Sequence, residues 1–333
     1  MRIGIIGAGS WGTTLADLLA SNGHQVRLWA YEPEVVESIN RDHVNVQYLA
    51  DAQLAESVVA HPDLGEAAHG AELLVSATPS QAARKVSTEL RATLDGAQLP
   101  PVVSVSKGLE AGTLKTTTQI LHETLGGPPM VALSGPSFAQ EVYARQPTAV
   151  VAASENTEAA EIVQTAFATN YFRVYTSEDR IGVELGGALK NVIAIAAGVL
   201  HGLRLGHNSM AALITRGLAE MTRVGEAMGA HHQTFAGLAG MGDLILTATG
   251  SMSRNRTLGI ELAEGRSLEE ILASRRSVAE GVHSARAAVE LAAKVGVELP
   301  IAVEVANILF DGKSPESAVR DLMERELKAE QWR

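Results

Sequence analysis

The sequence predicts an α/β chain: a doubly wound sheet domain followed by an all-α domain. Three observations predict it. Short β-branched runs alternate with amphipathic segments up to about residue 177, the pattern of right-handed crossovers and a parallel sheet with helices on both faces. Beyond 177 helical periodicity takes over and the β-branched runs stop. A glycine fingerprint lies between the first predicted strand and the first predicted helix.

Strands are expected at 2–6, 25–30, 72–77, 101–105, 130–133 and 148–153, with 172–176 closing the sheet. Amphipathic segments such as 12–22 and 80–94 fill the gaps. Helices are expected at 178–203, 207–228, 231–238, 254–264, 267–275, 282–296, 301–309 and 314–324. The division is therefore 1–177 and 178–333, with no repeat, low-complexity tract or long linker.

Composition narrows the function classes. The 333 residues are 46% hydrophobic but only 4% aromatic, so the core must be built of Ala, Leu, Ile and Val. A net charge of −11 argues against general nucleic-acid binding, which needs a basic face. There is no cysteine, which removes disulfides, thiol nucleophiles and zinc–thiolate sites and fits a reducing cytoplasm. Asp17 and the fingerprint interrupt the N-terminal apolar run, so it does not read as a signal peptide. The run around 192–200 is far shorter than the roughly 18 apolar residues of a membrane span, and no membrane insertion is expected.

In GAGSWG, Gly7, Gly9 and Gly12 form G-x-G-x-x-G directly after strand 2–6. In that context the pattern marks a Rossmann-type site: a tight turn, a bare approach for the pyrophosphate, and close helix–strand packing. The helix N-terminus adds a favourable dipole. An NAD-selective site expects an acid at the end of the second strand, but Ala30 or Tyr31 stands there and Glu32 lies further along. No arginine is placed to grip a 2′-phosphate either, so the cofactor reads as NAD or NADP.

Strand ends supply further candidates, because open α/β sheets bind ligands beyond the carboxyl ends of their strands. Ser106 and Lys107 follow 101–105, and Ser134-Gly135-Pro136-Ser137 follows 130–133. The bland readings are a solvated loop lysine and a simple helix cap. In the helix at 178–203, Lys190 interrupts an apolar stripe and covers the turn containing Gly186 and Gly187. Each glycine costs roughly 0.8–1.0 kcal/mol against alanine. Either a ligand lies against bare backbone there, or a neighbouring helix does and Lys190 reaches for solvent. A buried lysine beside a second cation, for which Lys107 is the candidate, has a lowered pKa suited to proton exchange. Asn191 is placed for a hydrogen bond in the same pocket.

A second glycine-rich segment, 237–257, carries Asp243 and then Ser253-Arg254-Asn255, with Ser253 the N-cap of the helix that follows. Dipole, amides and a forked guanidinium at one helix start suit a phosphate. An ordinary capped helix with solvated arginines is the plain alternative. His231-His232 matches no metal spacing, and no metal site is expected.

Across nearly its whole length the chain resembles bacterial-type NAD(P)-dependent glycerol-3-phosphate dehydrogenases. The resemblance is carried by GAGSWGT at 7–13, SVSKGLE at 104–110, LSGPSFAQEV at 133–142 and VELGGALKNVIAIAAG at 183–198. AALITRGLAEM at 211–221, GLAGMGDLILTATGSMSRNRTLG at 237–259 and VAEGVHSA at 278–285 complete it. It implies reversible reduction of glycerone phosphate to sn-glycerol 3-phosphate with NAD(P)H, for glycerophospholipid synthesis. It implies Lys190 as the residue exchanging the proton, Lys107 on both cofactor and substrate, and Gly135, Ser137 and Asp243 on the substrate. Ser253, Arg254 and Asn255 would receive the phosphate, with Arg254 also near the cofactor. Ser10, Trp11, Tyr48, Ala139, Val278 and Glu280 would border the dinucleotide. By the same resemblance Tyr31 would face the adenosine, at a position where the family often has Arg or His, which leaves the coenzyme preference open. A homodimer is expected from the frequency of two-fold assemblies. A hydroxyacid dehydrogenase acting on keto acids and a non-catalytic dinucleotide sensor are the alternatives.

Overall fold

The structure, a computed structural model, describes residues 1–94, 96, 98–274, 280–327, 329 and 330. The first half contains β1 (Arg2–Ile6), α1 (Ser10–Ser21), β2 (Gln25–Trp29), α2 (Pro33–Asp42), β3 (Val44–Asn45), β4 (Leu49–Gln53) and β5 (Val58–His61). It continues through α3 (Leu64–Ala68), β6 (Leu73–Ser76), α4 (Ala83–Thr93), β7 (Val102–Ser104), α5 (Thr117–Leu125) and β8 (Met130–Ser134). Then come α6 (Ala139–Tyr143), β9 (Thr148–Ala153), α7 (Thr157–Phe167) and β10 (Phe172–Ser177).

Eight strands form one sheet in the order β5-β2-β1-β6-β7-β8-β9-β10. The chain winds outward from β1 through β2 to β5, then returns to the other side of β1 with β6. The β1/β6 junction is thus the switch point at which doubly wound sheets bind ligands. Ile5, Leu28, Val75 and Val131 line one face of the sheet core together with Leu15 and Leu19 of α1.

Two expectations need correction. The sheet is not all parallel, because β8 and β9 pair antiparallel in the register Ala132↔Ala153 and Ser134↔Val151. The connecting stretch 135–147 turns back at the carboxyl end of β8 and never crosses the sheet, so the next strand must run the opposite way. Strands β3, β4 and β5 and the short helix α3 were also not anticipated; none exceeds 5 residues, too short for a periodicity to show.

The second half is helical: α8 (Arg180–Gly202), α9 (His207–Ala227), α10 (His232–Ala236), α11 (Asp243–Thr249) and α12 (Arg254–Ala263). It ends with α13 (Leu268–Ala273), α14 (Glu280–Val295), α15 (Pro300–Phe310) and α16 (Pro315–Met323). The glycine-rich stretch after 237 is more regular than its composition predicts. A π-helical turn, Leu238–Gly242, runs straight into α11. Its glycines are used for close packing: a Cβ on Gly240 would stand 2.2 Å from the Phe235 carbonyl oxygen.

Helix α8 organises this half. It is long and apolar enough to cross a membrane by composition, but it lies buried inside the fold. Asp179 caps it by accepting from Gly182 N at 2.9 Å. Glu184 ties it to the sheet domain, its carboxylate accepting from Thr118 N at 2.8 Å and Thr116 Oγ1 at 2.7 Å at the start of α5. Val183 packs with Ala132 of β8 and Ala153 of β9. Where α8 crosses α12, backbone meets backbone: a Cβ on Gly198 would lie 2.0 Å from the Arg256 carbonyl oxygen, and one on Gly259 would lie 2.0 Å from that of Ile195.

Gly198→Ala is expected to push α12 off α8. The cost is about 2 kcal/mol of unfolding free energy, the usual scale for overpacking, read from denaturant midpoints at unchanged m-value.

Candidate active site

The glycine turn is built as the fingerprint requires. Gly7 has φ +119°, and a Cβ there would meet the Ala77 carbonyl at 2.8 Å. A Cβ on Gly12 would meet the Gly7 oxygen at 2.0 Å, so α1 sits hard against the strand. Gly9 differs: nothing lies within 4 Å of a Cβ placed on it, and as N-cap it gives no side-chain bond to the first turn of α1. Bare backbone at Gly9, first-turn amides that no side chain caps among the described residues, and a positive helix end therefore stand together at the switch point, which fits a pyrophosphate.

Around this turn the structure gathers several sequence candidates. Ser10 Oγ donates to the Tyr48 carbonyl at 2.7 Å, and Tyr48 OH donates to Glu32 Oε1 at 2.7 Å. Trp11 packs partly buried against the sheet core. The Ala139 carbonyl accepts from Thr14 Oγ1 at 3.3 Å, which brings the start of α6 onto α1. Tyr31 projects from the end of β2 at 78% exposure, edge-on to Trp29 at 6.3 Å between ring centroids. Val278 lies outside the described residues.

The chemical centre lies where α8, α11 and the end of β7 meet. Asp243, 1% exposed, spreads its carboxylate between two amines. Lys190 Nζ donates to Oδ1 at 2.5 Å, and Lys107 Nζ donates to Oδ2 at 2.7 Å. Lys107 donates also to the Gly135 carbonyl at 3.2 Å, and Lys190 to Thr247 Oγ1 at 2.7 Å. Thr247 passes its own proton to the Asp243 carbonyl oxygen one turn back, so its lone pair faces the lysine. Thr247 is the group that reading the sequence missed. Its only signal is its spacing four residues after Asp243, which puts both on one face of α11.

Lys190 is 6% exposed and does not reach for solvent. Burial pushes its ammonium down to about 8, the Asp243 carboxylate pulls it upward, and the neighbouring Lys107 presses it down again. The glycines ahead of it admit protein rather than ligand. A Cβ on Gly186 would strike the Ala239 carbonyl oxygen at 2.6 Å, and one on Gly187 would meet Ser134 Oγ at 3.0 Å and Lys107 Cγ at 3.3 Å. The π-helical turn and the end of β8 thus close onto α8 and bring the two lysines together.

The third group is the start of α12. Ser253 caps it, accepting from Arg256 N at 3.2 Å. Asn255 donates to Asn191 Oδ1 at 2.9 Å and accepts from Gly281 N at 3.0 Å. Its side chain thereby locks α12 to α8 one residue from Lys190 and to the start of α14. An anion here would meet the Ser253 hydroxyl, the first-turn amides and Arg254. Glu280 reports how closely these parts converge. Burial raises its carboxyl, while Arg254, Lys107 and Lys190 in that order each draw it down. One carboxylate therefore senses all three cations. Ser137 Oγ donates to the Gly135 carbonyl at 3.0 Å, which closes the turn beneath Lys107.

A pyrophosphate cradle on the sheet, beside a buried amine whose pKa burial lowers to about 8, is the equipment of a dinucleotide-dependent dehydrogenase. Comparison with known proteins narrows that class. Residues 2–160 match the family model for the NAD-dependent glycerol-3-phosphate dehydrogenase N-terminus, and 179–320 match the model for its C-terminus. Glycerol-3-phosphate dehydrogenase [NAD(P)+] of Citrifermentans bemidjiense is 53% identical over 99% of this chain and 98% of its own length. The protein of that name from Geobacter metallireducens is 54% identical, also over 99% and 98%. The crystal structure of glycerol-3-phosphate dehydrogenase from Coxiella burnetii superposes with a TM-score of 0.93 at 40% identity, covering 97% of this chain and 99% of that one. The chain belongs to the NAD-dependent glycerol-3-phosphate dehydrogenase family, and it is an NAD(P)-dependent oxidoreductase.

Because Asp243 holds the Lys190 pKa up, Asp243→Asn is expected to lower it below about 8. The basic limb of the kcat/KM profile for the reductive direction should then move to lower pH by about one unit or more, with kcat reduced at every pH.

Proposed function

We propose that the chain carries out its family's reaction, the reversible NAD(P)H-dependent reduction of glycerone phosphate to sn-glycerol 3-phosphate, with Lys190 as the proton-exchanging group. The observation that carries this reading is the buried Lys190–Asp243–Lys107 cluster. Gly7, Gly9, Gly12 and the first turn of α1 would hold the dinucleotide, with Ser10, Trp11, Tyr31, Tyr48, Lys107, Ala139, Arg254 and Glu280 around it. When bound, the reduced nicotinamide supplies a hydride to the carbonyl carbon.

The protein does the rest. An ammonium has three donors, and Lys190 spends two on Asp243 and Thr247. The third is left for the carbonyl oxygen, where negative charge grows during reduction. Lys190 stabilises that charge and delivers the proton. Asp243 keeps the amine charged and aimed. Lys107 has spent two donors on Asp243 and the Gly135 carbonyl, and likewise keeps one for a ligand. Ser253, Arg254 and Asn255 would receive the phosphate, and Gly135 and Ser137 would line the substrate. The cradle performs no chemistry; it fixes distance and orientation.

The boundary is placed between residues 177 and 178, separating the dinucleotide half from the substrate half. A homodimer in the cytoplasm is the assembly and compartment proposed, since two-fold pairs are the commonest assemblies and no cysteine requires an oxidising environment.

The test is steady-state turnover with glycerone phosphate and short keto acids, each with NADH and with NADPH. Turnover of keto acids alone would overturn the reading. Reduction requires protonated Lys190, so kcat/KM for reduction should fall as pH rises through about 8, and that for oxidation should rise through the same value. Lys190→Ala should lower kcat by a factor of about 10²–10⁴ while dinucleotide affinity stays within several-fold. Arg254→Ala should chiefly raise the KM for glycerone phosphate.

A further inference from the structure

A polar pair at the far end of the glycine turn takes no part in the chemistry above. Glu32 lies three residues past the end of β2 and starts α2. β2 runs beside β1 in the register Ile6↔Trp29, and Gly7 N donates to the Trp29 carbonyl at 3.1 Å. Glu32 therefore leaves the sheet at the edge where the glycine turn leaves it. By spacing along the sequence alone it stands too far on to meet a ribose. The 45–48 loop changes that. Asn45 Nδ2 donates to the Ala8 carbonyl and to Thr13 Oγ1, both at 2.8 Å, which fastens the loop to the glycine turn. Ser10 Oγ then holds the Tyr48 carbonyl, and Tyr48 OH holds Glu32 Oε1. Gln47 Nε2 donates to the same hydroxyl at 3.1 Å and fixes its direction.

A continuous chain of hydrogen bonds thus secures one carboxylate oxygen beside the turn. The other oxygen, Oε2, accepts no hydrogen bond among the described residues, and Glu32 forms no ion pair among them. Glu34 adds a second negative charge within range of Tyr48. Tyr31, which precedes Glu32, is exposed and uncharged.

We propose that Glu32, positioned by Tyr48, accepts the 2′-hydroxyl of the adenosine ribose through its free oxygen and makes this chain select NADH over NADPH. A hydroxyl can donate to a carboxylate; a 2′-phosphate cannot, and it brings further negative charge to a site that already has two carboxylates. The inference rests on the dinucleotide reading of the glycine turn.

The test is equilibrium binding, without turnover. NADH and NADPH are titrated into the wild type and into Glu32→Gln at one fixed ionic strength, following nicotinamide fluorescence. The wild type should bind NADH at least about tenfold more tightly than NADPH. Glu32→Gln should weaken NADH, tighten NADPH and shrink the ratio by about tenfold. Displacement of bound NADH by 5′-AMP and by adenosine 2′,5′-bisphosphate gives an independent ratio, which should change in the same sense. Equal or tighter NADPH binding by the wild type, or an unchanged ratio in a folded Glu32→Gln, overturns the assignment of Glu32 while leaving dinucleotide binding in place. Failure of both dinucleotides to bind overturns the dinucleotide reading and this inference with it.

Discussion

The arrangement depends on a single buried carboxylate. Asp243 gives one oxygen to Lys190 and the other to Lys107, and these two amines come from different halves of the chain. A charged amine as buried as Lys190 could not persist alone, since removing one partner of a buried pair costs about 3–5 kcal/mol. Two cations on one carboxylate leave the cluster with a net positive charge, which favours an anionic ligand. The same balance keeps Lys190 close to its titration point instead of fully charged. Burial and Lys107 press the amine toward neutrality and Asp243 resists. The cluster that holds the helical half onto the sheet half is thus also what makes its lysine able to exchange a proton.

Backbone contact replaces side-chain filling throughout this region. Gly186 admits the π-helical turn that leads into Asp243, and Gly187 admits Lys107 and Ser134. Gly198 and Gly259 let α8 and α12 cross with almost nothing between them. With only 4% aromatic residues the protein has few large wedges with which to space its helices. Close crossing by small residues gives short, stiff links between Lys190, Asn191 and the start of α12. That stiffness suits a site in which positioning carries much of the catalytic effect.

Much of this was legible in the sequence, for identifiable reasons. The sheet domain could be read because β-branched runs mark its strands, and the glycine fingerprint could be read because it sits between a strand and a helix. Lys190, Asp243 and Ser253-Arg254-Asn255 stood out as charges in apolar or glycine-rich surroundings. What remained hidden depends on tertiary approach. Thr247 resembles any helical threonine until its hydroxyl is seen on Lys190. The antiparallel β9 has the composition of a parallel strand; only the path of the preceding loop reverses it. Gly186 and Gly187 announced a close approach, but nothing in the sequence told protein from ligand as the neighbour.

The link between β10 and α8 has a mechanical consequence. Glu178 and Asp179 alone separate the strand from the helix, and Asp179 caps that helix while accepting from His231 N and Thr234 Oγ1. Glu184 then fastens the same helix to the start of α5. The point where the two halves join in sequence is therefore braced from both sides, and it is a poor hinge. Swinging the halves apart about this link would break the contacts that keep Lys190 beside Lys107 on Asp243.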